Sequence, residues 1–152
     1  MFFCLGLDWQ HFSFSWPPQH FTKTMVQQIT KGIKISVISR FEGTLINKQK
    51  ECYTFSYTIT IENQSKNTVQ LLTRYWKIKD ALKHTEIVKG EGVIGVKPVL
   101  SPGEKHTYSS GCLLTSPIGS MEGYYTFINL DAKTRFRVRI PSFKLHAAFA
   151  LN

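Results

Sequence analysis

The sequence predicts an all-β domain folded as an antiparallel sandwich, and three observations carry that expectation. From Lys31 onward the apolar residues recur with a period of two rather than 3.6. Clusters of Gly, Pro, Asn, Ser and Asp punctuate the chain at short intervals, and no stretch of ten residues holds an amphipathic helix.

The elements follow in order. IKISVIS (33–39) is β-branched and alternating. YTFSYTITI (53–61) is the clearest strand, with Tyr53, Phe55, Tyr57, Ile59 and Ile61 on one face and Thr54, Ser56, Thr58 and Thr60 on the other. TVQLLTRYWKI (68–78), HTEIV (84–88), HTYSSGCLL (106–114), GYYTFINL (123–130) and FKLHAAF (143–149) are weaker strands. RFRVRI (135–140) alternates again, setting Phe136, Val138 and Ile140 against Arg135, Arg137 and Arg139. ENQSKN (62–67), SPGE (101–104), TSPIGSMEG (115–123) and LDAKT (130–134) are the turns between them. Seven to eight short strands at this spacing imply a sandwich of immunoglobulin or fibronectin type III kind.

Residues 1–24 read differently and are expected to lie outside the domain, which then spans 25–152. They are rich in Phe, Trp, His, Ser and Pro, with Asp8 and Lys23 as their only formal charges, and lack the basic stretch and cleavage site of a secretory signal. They are either an N-terminal tail or the product of a start assigned too early, with Met25 the true first residue. The second fits better, because an exposed aromatic tail is an association liability. In the chain as a whole, 152 residues with 42% apolar content suffice for one core, and no apolar run is long enough to cross a bilayer. Cys4, Cys52 and Cys112, odd in number and widely spaced, read as reduced thiols in a cytoplasmic protein. A formal net charge of +9 favours acidic partners.

Within GEGVIGVKP (90–98), Gly90, Gly92 and Gly95 match the G-x-G-x-x-G pattern that cradles a pyrophosphate in dinucleotide-binding folds. Such a site needs a helix N-terminus after the glycines, and here Pro98, Pro102 and Gly103 follow instead, which excludes that fold. Two roles remain for the glycines: a bulge or close backbone approach, or a loop whose N–H groups form an anion-binding concavity without a helix.

Other chemistry is sparse. His106 and Cys112 share a strand face but stand about 20 Å apart at 3.3 Å per residue, so they form no local dyad. His84 and Glu86, two apart in an extended segment, are the metal-ligand candidates, with Glu91 and Glu104 as carboxylates that the glycine loop could bring near each other. A solvated His and Glu pair is the plainer account. Arg135, Arg137 and Arg139, spaced about 6.6 Å apart, suit phosphates or acidic partner residues, or form a solvated face that discourages edge association. Sequence-specific nucleic-acid binding is not expected, because Phe136 lies on the opposite face from these arginines.

RYWKI (74–78), TEIVKGEGVIGVKPVLSPGE (85–104), YSSG (108–111), TSPIGSMEGYY (115–125) and FRVRIPSFKL (136–145) together resemble the ApaG family in order and spacing, over about residue 33 to the C-terminus. The resemblance implies a fibronectin type III-like sandwich, found as a small bacterial protein and as a domain of some eukaryotic F-box and polymerase-associated proteins. It also implies a link to cobalt resistance and magnesium efflux, and a gene often neighbouring that of a dinucleoside tetraphosphate hydrolase. No catalytic residues are established for such proteins; a pyrophosphate role for the glycine motif would fall on Gly90, Gly92 and Gly95. The expectation is therefore a non-enzymatic interaction module associated with divalent-cation (Co2+/Mg2+) homeostasis, with no cofactor, a directly bound divalent cation left open, and a protein partner or acidic ligand. The alternative is nucleotide or pyrophosphate binding through GEGVIG, with a hydrolase as a distant third. Membrane insertion is not expected, and homo-oligomerisation is left open.

Overall fold

A computed structural model describes residues 23–147, so most of the expected N-terminal extension, 1–22, lies outside the described residues. Among these there are nine strands and no helix. β1 (Thr24–Thr30), β2 (Ile33–Asn47), β3 (Lys50–Asn63) and β7 (Lys105–Leu114) form one antiparallel sheet in the order β1-β2-β3-β7. β5 (Glu86–Glu91), β4 (Val69–Asp80), β8 (Ile118–Asn129) and β9 (Thr134–His146) form the second in that order, and β6 (Val99–Leu100) pairs with the start of β4. The expected sandwich is thus present.

Alternation fills its core as the sequence implies. Phe55, Tyr57, Ile59 and Ile61 of β3 are buried, with Tyr53 packed at their margin, and Val138 and Ile140 of β9 meet them from the other sheet. Trp76 sits at the centre, its ring 5.6 Å from Tyr57, 6.4 Å from Tyr125 and 6.0 Å from Phe143. Aromatic groups at these separations contribute dispersion and quadrupole contacts beyond area burial.

Three features depart from expectation. β1 was not anticipated: its alternation is mostly polar, and Met25 and Ile29 face outward, so it carries little apolar signal. The expected turn 115–123 is largely strand, because β8 begins at Ile118 and buries Met121. Gly119 and Gly123, which imitate turn residues in the sequence, are close-packing positions: a Cβ at Gly123 would run into the Tyr75 carbonyl. RFRVRI and FKLHAAF join in the single strand β9, with Pro141 at an irregularity between Ile140 and Phe143 where its missing N–H is tolerated.

The hairpins β1–β2 and β2–β3 turn on Lys31-Gly32 (φ 51° and 80°) and Lys48-Gln49 (φ 47° and 64°). Paired positive φ values match the right-handed strand twist. Where the chain crosses between sheets, buried polar groups hold it. Asn63, fully buried at the end of β3, donates from its amide to the carbonyls of Asn67 (2.8 Å) and Leu100 (2.9 Å) and accepts from the Ser65 N–H and hydroxyl. Its backbone binds Glu104 and Gly103, so one residue fixes both the β3–β4 and β6–β7 crossovers. Asp80, at the end of β4, accepts from the Thr115 N–H and hydroxyl (2.7 Å each), the Ser116 hydroxyl (2.6 Å) and the Leu82 N–H (3.2 Å), fixing the β7–β8 crossover.

Asn63→Ala removes the amide donor to the buried Leu100 carbonyl and one of two donors to the Asn67 carbonyl, and is expected to lower stability by about 3 kcal/mol in urea unfolding. Partial burial works to raise the Asp80 carboxyl, but the bonds from Ser116, Thr115 and Leu82 outweigh it and hold the group below its usual range. A depressed folded value means stabilisation present above the unfolded value of about 3.9 and lost as pH falls through the folded one. The gap in urea midpoint between wild type and Asp80→Asn should therefore be open at pH 6 and close below about pH 4; a gap independent of pH would refute the role of the charge.

Candidate functional site

Residues 90–98 begin inside β5, where Gly90 pairs with Arg74 and Glu91 with Thr73. The Gly92 N–H then donates to the Leu72 carbonyl at 2.8 Å. Ile94 and Gly95, with φ of 45° and 74°, form a two-residue turn closed by reciprocal N–H to carbonyl bonds between Val93 and Val96, at 2.8 and 3.1 Å. The N–H groups of Gly92, Val93 and Val96 are therefore spent within the chain and do not converge on an open concavity.

Arg74 and Val96 account for one glycine each. Its Nη1 donates to the carbonyls of Glu91 (2.8 Å) and Gly92 (2.9 Å). A Cβ at Gly90 would stand 2.7 Å from the Arg74 guanidinium carbon, and one at Gly92 would run into the Val96 carbonyl. Gly95 meets nothing within 4 Å and serves its turn through its positive φ alone. Outside the loop, Lys97 pairs with Glu91 at 2.5 Å. That hydrogen bond and charge hold the Glu91 carboxyl below its ordinary range, with Arg135 adding a smaller attraction.

Behind Arg74, the buried hydroxyls of Tyr108 in β7 and Tyr125 in β8 hydrogen-bond to each other across the two sheets. Burial pushes both phenols upward, well beyond neutral pH, so they stay protonated and act as an inter-sheet link rather than as nucleophiles.

The arginine row lies where alternation places it. Arg135, Arg137 and Arg139 are exposed on the outer face of β9, and Phe136 packs inward against the core. The same outer face carries aromatics from other strands. Tyr75 of β4 stacks on Tyr124 of β8, with centroids 4.7 Å apart and planes 8° apart. Arg137 lies 4.4 Å from the Tyr124 centroid and Lys89 of β5 lies 5.7 Å from that of Tyr75. In strand order this makes a ladder, Lys89–Tyr75–Tyr124–Arg137, crossing the whole sheet. Each ring is flanked by the other ring and a cation, so the tyrosines hold the cations in place rather than offering bare platforms for bases. Reading β9 alone missed this, since pairing Tyr75 with Tyr124 requires the strand order.

The other candidates do not assemble. His84 is exposed in the turn before β5 and Glu86 is the first residue of that strand. Glu91 engages Lys97, and Glu104 accepts from the Ser101 N–H of its own turn (2.8 Å), so the two carboxylates are occupied separately. Among the described residues no three His, Cys, Asp or Glu side chains converge as metal ligands. Cys52 and Cys112 are both buried, and neither is in a disulfide.

The described residues thus form a two-sheet β domain with a basic, tyrosine-braced outer face. Its lineage is specific. A sequence model described as the ApaG domain matches residues 44–129. The chain is 41% identical over 124 residues to protein ApaG of Acidithiobacillus ferrooxidans, covering 82% of this chain and 97% of that one. It is 40% identical over 121 residues to protein ApaG of Brucella canis, covering 80% and 92%. The chain belongs to the ApaG family. Among solved structures, the X-ray structure of the structural-genomics target SoR45 matches with a TM-score of 0.73 and 34% identity, over 77% of this chain and 88% of that one. The crystal structure of an ApaA protein from Bordetella pertussis matches with a TM-score of 0.71 and 34% identity, over 76% and 94%.

The two glycines of the loop turn should separate in experiment. Gly95→Ala is expected to cost about 1 kcal/mol from its left-handed backbone alone, while Gly92→Ala adds displacement of the Val96 carbonyl and is expected to cost about 3 kcal/mol. Equal losses in urea unfolding would show that the Val96 contact does not constrain Gly92.

Proposed function

We propose that this ApaG-family chain is a non-enzymatic binding module, associated through its family with divalent-cation (Co2+/Mg2+) homeostasis in the cytoplasm, and that it engages an acidic protein partner through the outer face of its second sheet. One observation supports this above the others: Lys89 and Arg137 are braced over the stacked Tyr75 and Tyr124 beside Arg135 and Arg139. Guanidinium groups held over an aromatic face have already lost side-chain freedom, so pairing with carboxylates incurs a smaller ordering cost. The face is asymmetric in charge: Glu122 is engaged by Lys77 and Lys79, and Glu91 by Lys97, which leaves the β9 side basic. Among the described residues no helix is long and apolar enough to cross a membrane.

Nucleotide or pyrophosphate binding through GEGVIG has less support, because three of the loop's N–H groups, those of Gly92, Val93 and Val96, are given to the carbonyls of Leu72, Val96 and Val93. An anion there would find those three donors already committed and Lys97 already paired with Glu91.

Arg135→Glu/Arg137→Glu/Arg139→Glu changes only exposed side chains and is expected to fold normally while losing the partner that wild type retains in a pull-down, with wild-type capture weakening as salt rises. Retention of the same partner by the triple variant overturns the proposal. Calorimetric titration with ATP, pyrophosphate and diadenosine tetraphosphate, with and without Mg2+ or Co2+, is expected to give no saturable heat; saturable heat abolished by Gly92→Val would reinstate the loop as the ligand site.

A further inference from the structure

Arg74 carries a charge that no carboxylate of the described residues neutralises. It lies half-buried on the inner side of β4, and no ion pair among the described residues includes it. Glu91, beside it in the sheet register, offers only a backbone carbonyl, because its carboxylate is engaged by Lys97. Carbonyl dipoles solvate a partly buried cation without cancelling its charge, so its attraction for an anion persists.

The bonds it does make leave one edge of the guanidinium unused. Those to the carbonyls of Glu91 and Gly92 both come from Nη1, at 2.8 and 2.9 Å. The N–H groups of Nε and Nη2, side by side along the other edge, have no partner among the described residues. No buried side-chain nitrogen of the described residues lacks a partner, so this edge reaches the surface. Its two parallel N–H groups form the fork that matches two oxygens of one carboxylate or phosphate. A Cβ at Gly90 would stand 2.7 Å from both Cζ and Nη2 and 2.8 Å from Nη1, so the guanidinium lies face-on over that glycine and presents its edges sideways.

A second donor stands nearby. The Tyr108 and Tyr125 hydroxyls carry two hydrogens but share one hydrogen bond, and among the described residues nothing accepts the other hydrogen. Tyr108 is the outer of the pair, 9% exposed against 0% for Tyr125. Burial raises both phenols and the Arg74 charge draws both back, which sets the guanidinium within electrostatic reach of the two hydroxyls. These groups meet at the margin where β5 and β7 are the outermost strands of their sheets. At the opposite margin the Arg139 N–H and the Ser39 hydroxyl bond across to Thr30 and Lys144, at 3.4 Å each, whereas no hydrogen bond among the described residues joins β5 to β7.

Charge selects the ligand. One guanidinium and a neutral phenol balance a single negative charge, Lys97 is committed to Glu91, and the Glu91 carboxylate repels any excess. A carboxylate fills the fork with two oxygens and one charge; a phosphate dianion or a polyphosphate brings charge that nothing here offsets. From this we infer that the Nε and Nη2 edge of Arg74, with the spare hydroxyl hydrogen of the Tyr108–Tyr125 pair, is a carboxylate-binding site at the β5–β7 margin, separate from the basic outer face.

The test is an NMR titration of the full chain that reads the arginine Nε–H signals and the Gly90 amide. The probes are acetate, a short peptide ending in a free carboxylate or in an amide, and inorganic phosphate, each at constant ionic strength made up with chloride. Arg74 is expected to shift saturably at millimolar carboxylate, while Arg135, Arg137 and Arg139 drift without saturating. A response to acetate assigns the site to small free acids; a response to the carboxylate peptide alone assigns it to a chain terminus. Arg74→Lys keeps the charge but loses the fork, and is expected to bind about tenfold more weakly or less, with Tyr108→Phe about threefold weaker. Arg135→Glu/Arg137→Glu/Arg139→Glu is expected to keep the Arg74 response, which separates this site from the acidic-partner face. No saturable Arg74 shift with either carboxylate overturns the inference, as does phosphate binding at least as tightly, or either single variant binding as wild type does. If Arg74→Lys melts early, Tyr108→Phe and the wild-type comparison of carboxylate with phosphate decide.

Discussion

The arrangement of the second sheet depends on one extra residue. Between Leu71 and Thr73, β4 advances two residues while β8 advances one, which makes Leu72 a bulge. Side chains alternate with a period of two, so a single inserted residue exchanges the faces of everything that follows. Val69 and Leu71 are buried before the bulge, Trp76 and Ile78 after it. Without it Tyr75 and Lys77 would point into the core and Trp76 into solvent. The bulged residue is itself employed, since its carbonyl accepts the Gly92 N–H.

From that switch follow the centre of the core and both features of functional interest. Trp76 gains its place among Tyr57, Tyr125 and Phe143. Arg74, on the same side as Trp76, reaches the carbonyls of Glu91 and Gly92 at the sandwich margin. Tyr75, on the other side, meets Tyr124 and fixes the cations of the outer face. The glycine loop and the basic face are thus two sides of the same strand, positioned by one irregularity.

Legibility in the sequence tracks how local each cause is. The faces of β3 and β9 were legible, because alternation within YTFSYTITI and RFRVRI is a property of each segment alone. The ApaG resemblance was legible for the same reason, its motifs being contiguous runs. The Lys48–Gln49 turn was not, since it adopts two positive φ values without the Asn or Gly that normally announce them. ENQSKN was read as a turn, yet the role of Asn63 as its buried anchor depends on Leu100, far along the chain. Nor was the Tyr75–Tyr124 ladder legible, because it exists only once β4 and β8 are neighbours in register and the bulge has set their faces.

The G-x-G-x-x-G spacing here answers to packing and backbone demands of the chain itself. Gly90 leaves room for the Arg74 guanidinium, which lies where a side chain would begin and would be displaced by one. Gly92 is required because the Val96 carbonyl closes a two-residue turn over it, and Gly95 because that turn needs a second positive φ. These are three separate backbone demands, and each is met by residues of the same loop and of β4. In a dinucleotide-binding loop the glycines clear space for a ligand and leave N–H groups pointing at it. Here they clear space for the chain's own arginine and carbonyl, and the N–H groups of Gly92, Val93 and Val96 are consumed in doing so. The discriminating property is therefore where the donors point, which the spacing of glycines cannot encode. By that criterion the glycine loop is part of the frame that holds the outer face, the surface proposed above to meet an acidic partner.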